Sequence, residues 1–269
     1  MPIKRATKKP QPVTLVTGAS SGIGAALAAV FAQHGHQVVN TARRKEHLED
    51  VASAIAAAGH KAPIVIAADL TVRGGVSRLA TALEKRGLAP AYVINNAGYG
   101  LYGPAAELDL ADQLAMIDLD CRTLTDLSLR FIDSMARHKG GILNVASIAG
   151  FLTGENMAVY FACKAYVVSL SQALHRELAP RGIRVSALCP GPVATGFFNR
   201  AGFGRGAFPS FMYKSADFVA SAGYDGLMRG KPVIVPGAVN KAVILLDRLW
   251  PGSMQARHDA AKPAARTPT

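Results

Sequence analysis

The sequence predicts an α/β fold, in which about seven parallel strands form one doubly wound sheet covered by helices. Two observations predict this class. Short β-branched or apolar runs alternate with longer amphipathic stretches from Val13 onward, as in repeated βαβ units, and a glycine-rich turn follows the first run. The length of 269 residues suits a single domain of this kind. With 50% hydrophobic and 18% charged residues, the composition excludes a disordered chain.

The predicted elements follow one another in a regular order. The short apolar runs place strands at 13–17, 37–41, 63–67, 91–94, 141–146, 183–188 and 232–235. The amphipathic intervals place helices at 22–34, 45–58, 73–86, 105–137 with a break, 157–179 and 215–229, with a short helical pattern at 238–250. The segment 190–214 departs from this alternation because it combines glycines with phenylalanines. We expect a lid over an apolar pocket, the alternative being a surface loop that packs its own aromatic rings.

The charge distribution bears on possible partners. The net charge is +12, and half of it lies in the segments 1–12 and 251–269. We therefore expect a disordered basic tail at 1–12, one catalytic domain at 13–250 and a flexible tail at 251–269. This distribution argues against a specific nucleic-acid site, although the tails leave open a salt-sensitive attraction to polyanions or anionic lipid.

Several features indicate the compartment. The three cysteines are an odd number at spacings that suit neither a disulfide framework nor a zinc site, which indicates a reducing compartment. The basic N-terminal residues are followed by no apolar run, so no secretory signal is predicted. The uncharged stretch 13–33 contains glycines and serines and fits a phosphate-binding turn better than a membrane span. We expect a cytoplasmic protein without a transmembrane segment or a metal site.

The glycine-rich turn stands between the first strand and the first helix. Glycines allow the backbone to turn tightly and to approach a pyrophosphate, while the helix N-terminus offers unpaired N–H groups and partial positive charge. This position favours a Rossmann-type nucleotide site. The predicted cofactor-binding residues of the turn are Gly18, Ser20, Ser21, Gly22, Ile23 and Gly24.

Two arginines follow the second strand. An acidic residue at this place would accept hydrogen bonds from an adenosine ribose, whereas the sequence has Arg43 and Arg44. A guanidinium binds a 2′-phosphate that an acid would repel. The sequence therefore predicts NADP(H) as the cofactor, the alternative being two solvated arginines that begin a helix.

Further motifs complete a familiar order and spacing. The chain has TGASSGIG at 17–24, Asp69-Leu70, Asn95-Asn96-Ala97-Gly98, Ser147, Tyr160-x-x-x-Lys164 and Pro190-Gly191. In these motifs it resembles the short-chain dehydrogenase/reductase family from about Val13 to Gly237. The resemblance implies that Asp69 and Leu70 lie at the adenine, that Asn96, Ala97 and Gly98 line the cofactor cleft, and that Pro190 and Gly191 flank the nicotinamide. It also implies a homodimer or homotetramer.

The chemistry can be argued from the residues themselves. Tyr160 and Lys164 are four residues apart in a helical pattern and so share one face. An ammonium nearby favours phenolate and would make Tyr160 a better acid–base group at neutral pH. Ser147 follows the fifth strand, at the carboxyl edge where such sheets bind ligands, and could hold the substrate oxygen. Tyr160 and Lys164 are expected to contact the cofactor as well.

The substrate is predicted with less detail. Apolar candidates for the pocket suggest a small carbonyl compound or alcohol with an apolar body. The candidate substrate residues are Ser147, Tyr160, Phe151 and Phe197, with Tyr99, Leu152 and Phe198 as further pocket candidates. The C-terminal part is similar to that of a bacterial subgroup with a loosely defined substrate range, which names no substrate.

One position departs from the family pattern. Asp120 stands where the family usually has an asparagine that breaks the helix and supports a proton-relaying water. One interpretation is that shape and the backbone carbonyl suffice, so that replacing Asp120 by Asn would change turnover only modestly; this is the outcome we expect. The other is that an ionised Asp120 stabilises the Lys164 ammonium and opposes the Tyr160 phenolate.

These observations predict an NADP-dependent oxidoreductase that interconverts a carbonyl compound and a secondary alcohol. Ser147, Tyr160, Lys164 and Asp120 are its candidate catalytic residues. The alternative is a catalytically impaired NADP-binding sensor or scaffold, which Asp120 alone would support. A third hypothesis, a polyanion-binding protein, rests on the basic tails. Turnover with a panel of carbonyl compounds separates the first two hypotheses.

Overall fold

A computed structural model describes residues 9–197, 201–202 and 209–249 of the chain. Its sheet confirms the predicted Rossmann-type architecture, with seven parallel strands in the order β3-β2-β1-β4-β5-β6-β7. The order reverses between β1 and β4, and ligands bind beside such a switch point. The strands are β1 Gln11–Thr17, β2 Val38–Thr41, β3 Ile64–Val65, β4 Leu88–Asn95, β5 Gly141–Val145, β6 Arg184–Leu188 and β7 Val233–Ile234.

The helices cover both faces of this sheet. One face carries α1, α2 and α8, which pack through one apolar cluster. The other face carries α3 and α5 to α7, which pack through a second cluster, and α4 packs its Met116 into a smaller cluster with Tyr160. The helices are α1 Gly22–Gln33, α2 Lys45–Ala57, α3 Gly75–Lys85, α4 Leu110–Ile117, α5 Leu124–Arg130, α6 Ile132–Arg137, α7 Ala158–Leu178, α8 Ala216–Met228 and α9 Ala238–Leu249. No helix in the described parts of the chain is long and apolar enough to cross a bilayer.

The long helical stretch predicted at 105–137 begins later and is interrupted twice. Asp109 caps α4 by accepting a hydrogen bond from the Asp112 N–H at 3.0 Å, so residues before 109 form a turn instead. A π-helical turn, Asp118–Thr123, separates α4 from α5, and Phe131 separates α5 from α6. The break was predicted; its π-helical form, frequent at functional sites, was not.

The two ends of the segment 190–214 are tied together. Val193 and Lys214 form an isolated parallel bridge, and the Ala194 N–H donates to the Lys214 carbonyl at 3.0 Å. The Tyr102 N–H donates to the Ala201 carbonyl at 2.9 Å, which holds the described part of the segment against the loop after β4. Phe198, part of the predicted lid, lies outside the described residues, and the lid stays a prediction.

The termini differ slightly from expectation. The predicted tail 1–12 overlaps β1, because Gln11 pairs with Leu88 and its N–H donates to the Gly87 carbonyl at 2.8 Å. Residues 1–8 and 250–269, which hold most of the predicted basic tail and the whole predicted C-terminal tail, lie outside the described residues.

Candidate active site

The glycine-rich turn lies at the carboxyl end of β1. Gly18 and Gly22 have φ of +64° and +57°, a backbone region that side chains rarely adopt. A Cβ on Gly18 would lie 2.9 Å from Ala97 Cα, and a Cβ on Gly24 would overlap the Gly18 carbonyl and the Asn96 amide. The turn therefore packs directly against the end of β4, and these positions accept only glycine.

Thr17 and Asn96 fasten the turn to β4. The Thr17 hydroxyl accepts hydrogen bonds from the N–H groups of Asn96 and Ala97 at 2.9 and 3.0 Å, and the Asn96 amide donates to the carbonyls of Thr17 and Gly18 at 3.0 and 3.2 Å. Thr17 was not among the predicted site residues, although it opens the quoted glycine motif. These bonds fix the walls of the cleft that Asn96, Ala97 and Gly98 were predicted to line.

The beginning of α1 suits an anion. Its first turn has no acidic residue, and its N-cap, Ser21, makes no side-chain hydrogen bond to the helix. The first N–H groups are thus left to a ligand, as at other phosphate-binding helix N-termini. Ser20 is half-buried, Ile23 packs into the core, and the Thr195 side chain would touch a Cβ on Gly22 at 3.1 Å. Sequence reasoning missed Thr195, which follows Pro190-Gly191.

The end of β2 provides the basic residues. Arg43 and Arg44 are exposed, and within the described chain neither has an ion-pair partner within 4 Å. Asp69 lies close enough that the Arg43 charge helps to lower its pKa, after the larger effect of its hydrogen bond from the Thr71 hydroxyl at 2.6 Å. Leu70 is buried. The guanidinium groups therefore remain available beside Asp69.

Ser147 and Tyr160 meet beyond the end of β5. Ser147 lies two residues after β5, and its hydroxyl accepts from the Ala149 N–H at 3.1 Å, which begins a 3₁₀ turn, Ile148–Phe151. The same hydroxyl lies beside the Tyr160 phenol, close enough to lower its pKa. Tyr160, in the first turn of α7, is 8% exposed. Burial raises the pKa of Tyr160; Lys164 lowers it, Asp120 raises it, and the net pKa lies above its usual value.

Lys164 is buried against Asp120. Its ammonium lies 2.8 Å from Asp120 Oδ2, 3.4 Å from the Val145 carbonyl and 5.4 Å from the centre of the Tyr160 ring. Burial alone would lower the pKa of Lys164, but the charges of Asp120 and Tyr160 outweigh it and raise the pKa. Burial raises the pKa of Asp120, while the Lys164 ammonium opposes this effect. Lys164 and Asp120 therefore form a buried ion pair.

Asp120 is held from two sides. The π-helical turn carries it, and its Oδ1 accepts from the Tyr99 N–H at 3.3 Å. A Cβ on Gly98 would lie 2.7 Å from the same oxygen, so Gly98 leaves room for the carboxylate. The carboxylate thus contacts the ammonium directly. This is the arrangement that the second interpretation of Asp120 requires.

Pro190 and Gly191 close the far side of the site. The Pro190 carbonyl accepts from the Ile148 N–H at 2.9 Å, which places it beside Ser147. A Cβ on Gly191 would collide with the Asn240 side chain, which comes from α9 and is 2% exposed. The Asn240 amide donates to the Pro236 carbonyl at 2.7 Å. No local pattern in the sequence pointed to Asn240.

The apolar candidates separate into two groups. The Phe197 ring lies 5.6 Å from the Tyr160 ring, and both belong to a cluster with Tyr99, Met116 and Met157. Phe151 instead packs against a cluster containing Val168 and Cys189. The structure therefore brings Phe197, but not Phe151, to Tyr160. Among the described residues no three His, Cys, Asp or Glu side chains converge as metal ligands.

Comparisons with known proteins match this geometry. An uncharacterized oxidoreductase of Staphylococcus epidermidis is 31% identical over 199 residues, 74% of this chain and 85% of its own length. A short-chain dehydrogenase from Sphingobium yanoikuyae in complex with NADPH has a TM-score of 0.78 and 32% identity, covering 95% of this chain and 100% of that one. The bulky-bulky ketone specific alcohol dehydrogenase from Comamonas testosteroni has a TM-score of 0.74 and 31% identity, covering 95% and 98%.

A family model matches most of the chain. The model described as short chain dehydrogenase matches residues 12–203, well over half of the chain. The matched range includes the glycine-rich turn, Asp120, Ser147, Tyr160 and Lys164. The chain is a nicotinamide-dependent oxidoreductase by fold and belongs to the short-chain dehydrogenase/reductase family.

Proposed function

We propose that the protein interconverts a carbonyl compound and a secondary alcohol, using NADP(H). The observation that carries this proposal is the position of the Ser147 hydroxyl beside the buried Tyr160 phenol, with Lys164 one helical turn further along α7. These groups lie at the carboxyl edge of the sheet, beside the switch point where open α/β sheets bind ligands. Two hydroxyls this close together can both reach a single substrate oxygen.

The cofactor would lie across the reversal in strand order. The glycine-rich turn and the N–H groups of α1 would hold the pyrophosphate, Arg43 and Arg44 the 2′-phosphate, and Pro190 and Gly191 the nicotinamide end. The fit rests on the beginning of α1, where the Ser21 side chain leaves the first N–H groups uncapped and no acidic residue lies in the first turn. When bound, the cofactor supplies or accepts the hydride.

The protein's own residues would handle the proton. Because the pKa of Tyr160 lies above its usual value, the phenol stays protonated at neutral pH and can donate to an oxygen that becomes negative during carbonyl reduction. The Ser147 hydroxyl would hold that oxygen. Lys164 lowers the pKa of Tyr160 and Asp120 raises it, so this pair sets the pH at which the phenolate needed for alcohol oxidation forms.

Preference for NADP(H) over NAD(H) is part of the proposal. Its support is that Arg43 and Arg44 are exposed and, in the described chain, free of ion-pair partners, so that a phosphate would not have to displace a carboxylate. The Sphingobium relative was solved with NADPH. Asp69, the acid nearby, is already hydrogen-bonded to Thr71.

An apolar substrate is the second finer point. Phe197 and Met157 surround the Tyr160 ring, so the group beside the reacting oxygen would meet apolar side chains. The Comamonas relative is named for bulky ketones. We further propose a cytoplasmic homodimer or homotetramer, on the family resemblance and the reduced cysteines.

The test compares both cofactors on one substrate panel. Carbonyl compounds of increasing apolar size are reduced with NADPH and with NADH, and kcat/KM is measured for each pair. We expect a preference for NADPH with every substrate that turns over, and higher kcat/KM for apolar ketones. Equal values for the two cofactors would overturn the cofactor assignment. Absence of turnover with tight NADPH binding would favour the sensor or scaffold alternative, which the effect of Asp120 on Tyr160 supports.

A further inference from the structure

Two cysteines face each other beside the catalytic ion pair. Cys121 follows Asp120 in the π-helical turn, and Cys163 precedes Lys164 in α7. The two thiols lie close enough that each is the largest influence on the pKa of the other, and neither is in a disulfide. The acid–base chemistry described above uses neither sulfur.

Contacts on both sides of the sulfur pair hold the two elements together. On one side the Lys164 ammonium lies 2.8 Å from the Asp120 carboxylate. On the other side the Thr125 and Tyr166 hydroxyls are 2.7 Å apart, and the Thr125 hydroxyl also donates to the Cys121 carbonyl at 2.8 Å. These two contacts between the π-helical turn region and α7 therefore hold Cys121 opposite Cys163. The position of the two thiols does not depend on an interaction between the sulfurs themselves.

The two thiols are not equivalent. Cys163 is 3% exposed, whereas Cys121 is half-buried and can meet a small molecule from solvent. The neighbouring Cys163 thiol lowers the pKa of Cys121, although burial opposes it. The neighbouring Cys121 thiol, together with burial, raises the pKa of Cys163. The thiolate, which is the reactive form, therefore falls on the more accessible sulfur.

We propose that Cys121 and Cys163 form a modification site, which a hydroperoxide converts into a reversible disulfide. The Cys121 thiolate attacks the terminal peroxide oxygen; the O–O bond breaks, the leaving oxygen takes a proton, and Cys121 becomes a sulfenic acid. The Cys163 sulfur then attacks the Cys121 sulfur, and the S–O bond breaks to release water. In sum, two thiols lose two electrons and two protons, and the hydroperoxide is reduced to water or an alcohol. A dithiol reductant reverses the step.

The disulfide would act on the site described above. Its S–S length of about 2.0 Å is shorter than any non-bonded contact between two sulfur atoms, so Cys121, the residue after Asp120, is drawn toward Cys163, the residue before Lys164. If the proposed function holds, turnover falls on oxidation and recovers with the reductant. Formation of the bond does not rest on that function, so its failure and the failure of the proposed function can be told apart.

The test follows the bond itself. The reduced full chain is treated with hydrogen peroxide, its remaining thiols are alkylated, and the digest is analysed by mass spectrometry without reduction. We expect the loss of two of the three thiols and a cross-linked peptide pair, lighter by two hydrogen atoms, that joins residues 121 and 163. Three thiols after treatment, sulfinic acid at Cys121 without a cross-link, or a disulfide between chains would each overturn the proposal.

Matched variants identify the roles of the two sulfurs. Cys163→Ser should leave a sulfenic acid on Cys121 that a dimedone probe traps, and Cys121→Ser should give no trapped product. Cys189→Ser is the control and should form the same cross-link, because Cys189 is fully buried and its pKa is raised to about 12. Alanine replaces serine where a serine variant does not fold. Equal trapping in the Cys121 and Cys163 variants would contradict the assignment of roles.

Discussion

Cationic side chains occur in two very different settings, one at the edge of the site and one at its centre. At the end of β2, Arg43 and Arg44 lie in water without ion-pair partners in the described chain. At the centre, Lys164 is 7% exposed and contacts Asp120, which is 1% exposed. The exposed pair costs the fold little and is available to a ligand. The buried pair is part of the core, where removing one partner leaves an uncompensated charge.

This contrast has a functional meaning. Exposed cations attract an anionic ligand, and screening by water and salt limits the binding free energy that each cation contributes. A buried cation acts over a few ångströms in a medium where charges interact strongly. Changes at the centre should therefore alter chemistry and folding, whereas changes at the β2 end should alter the choice of ligand.

The largest effect is expected at Tyr160, the group on which the buried pair acts. Tyr160→Phe removes the proton donor and leaves the cofactor cleft, so kcat should fall by about a thousandfold or more while NADP binding stays nearly unchanged. Steady-state rates and a fluorescence titration of the same protein measure both. Tyr166→Phe, also in α7 but exposed, is the control and should keep full turnover. Retained activity in folded Tyr160→Phe protein would remove Tyr160 from the mechanism.

The second-largest effect is expected from breaking the buried ion pair, which should lower the free energy of unfolding. Lys164→Met leaves the Asp120 carboxylate buried without its counter-charge, so the free energy of unfolding should fall by about 3–5 kcal/mol. Lys45→Met is the control; it breaks the exposed 3.0 Å pair with Glu49, and a loss of about 1 kcal/mol or less is expected. Urea unfolding at one fixed protein concentration without cofactor compares them. Equal losses would erase the distinction between the two settings.

At the exposed end, Arg43→Ala should change the choice of cofactor. A charge-assisted contact to the 2′-phosphate predicts a fall in kcat/KM for NADPH of about tenfold to a hundredfold, with the value for NADH nearly unchanged. Lys45→Ala removes an equal charge two residues away and should affect both cofactors little. If Arg43→Ala weakens NADPH and NADH use alike, the arginine does not read the phosphate.

The smallest and sharpest test is Asp120→Asn. The carboxylate raises the pKa of Tyr160, so its removal should lower that pKa. Alcohol oxidation needs the phenolate, and its rate should therefore begin to rise at a lower pH, with only a modest change in kcat at the optimum. Asp118→Asn, in the same turn but exposed and paired with Arg122 at 2.7 Å, should leave the pH profile in place.

Two results would contradict that expectation. An unmoved profile would show that shape and backbone suffice at this position, as the sequence had suggested. A rise in kcat of about a hundredfold, worth roughly 2.7 kcal/mol of barrier, would show that Asp120 suppresses turnover and would support the sensor alternative.

Most of the fold could be predicted because βαβ alternation is a local pattern. The seven strands and the glycine-rich turn are visible in runs of a few residues, and the motif order places Ser147, Tyr160 and Lys164 at one edge. The helix ends were harder to predict, since α4 begins at Leu110 because Asp109 accepts a single capping hydrogen bond from the Asp112 N–H.

Contacts between distant segments could not be predicted. Asn240 lies about fifty residues after the glycine that it touches, and Cys121 and Cys163 pair across two helices with no spacing that announces it. The direct contact between Asp120 and Lys164 depends on where the π-helical turn puts one carboxylate. Such contacts arise from packing, and no periodicity in the chain encodes them.

The π-helical turn implies that the chain would respond unusually to the deletion of one residue within it. A wide turn of this kind holds one residue more than an α-helix needs over the same rise, so deleting one residue within 118–123 could restore a regular helix. Because the wide turn accommodates that extra residue, α4 and α5 would keep their relative orientation, while residues inside the turn would change their rotation about the helix axis, each residue of an α-helix accounting for about 100°. In the regular helix, the Asp120 carboxylate would then lie away from Lys164. The irregular helix is therefore the one that keeps Asp120 in contact with Lys164.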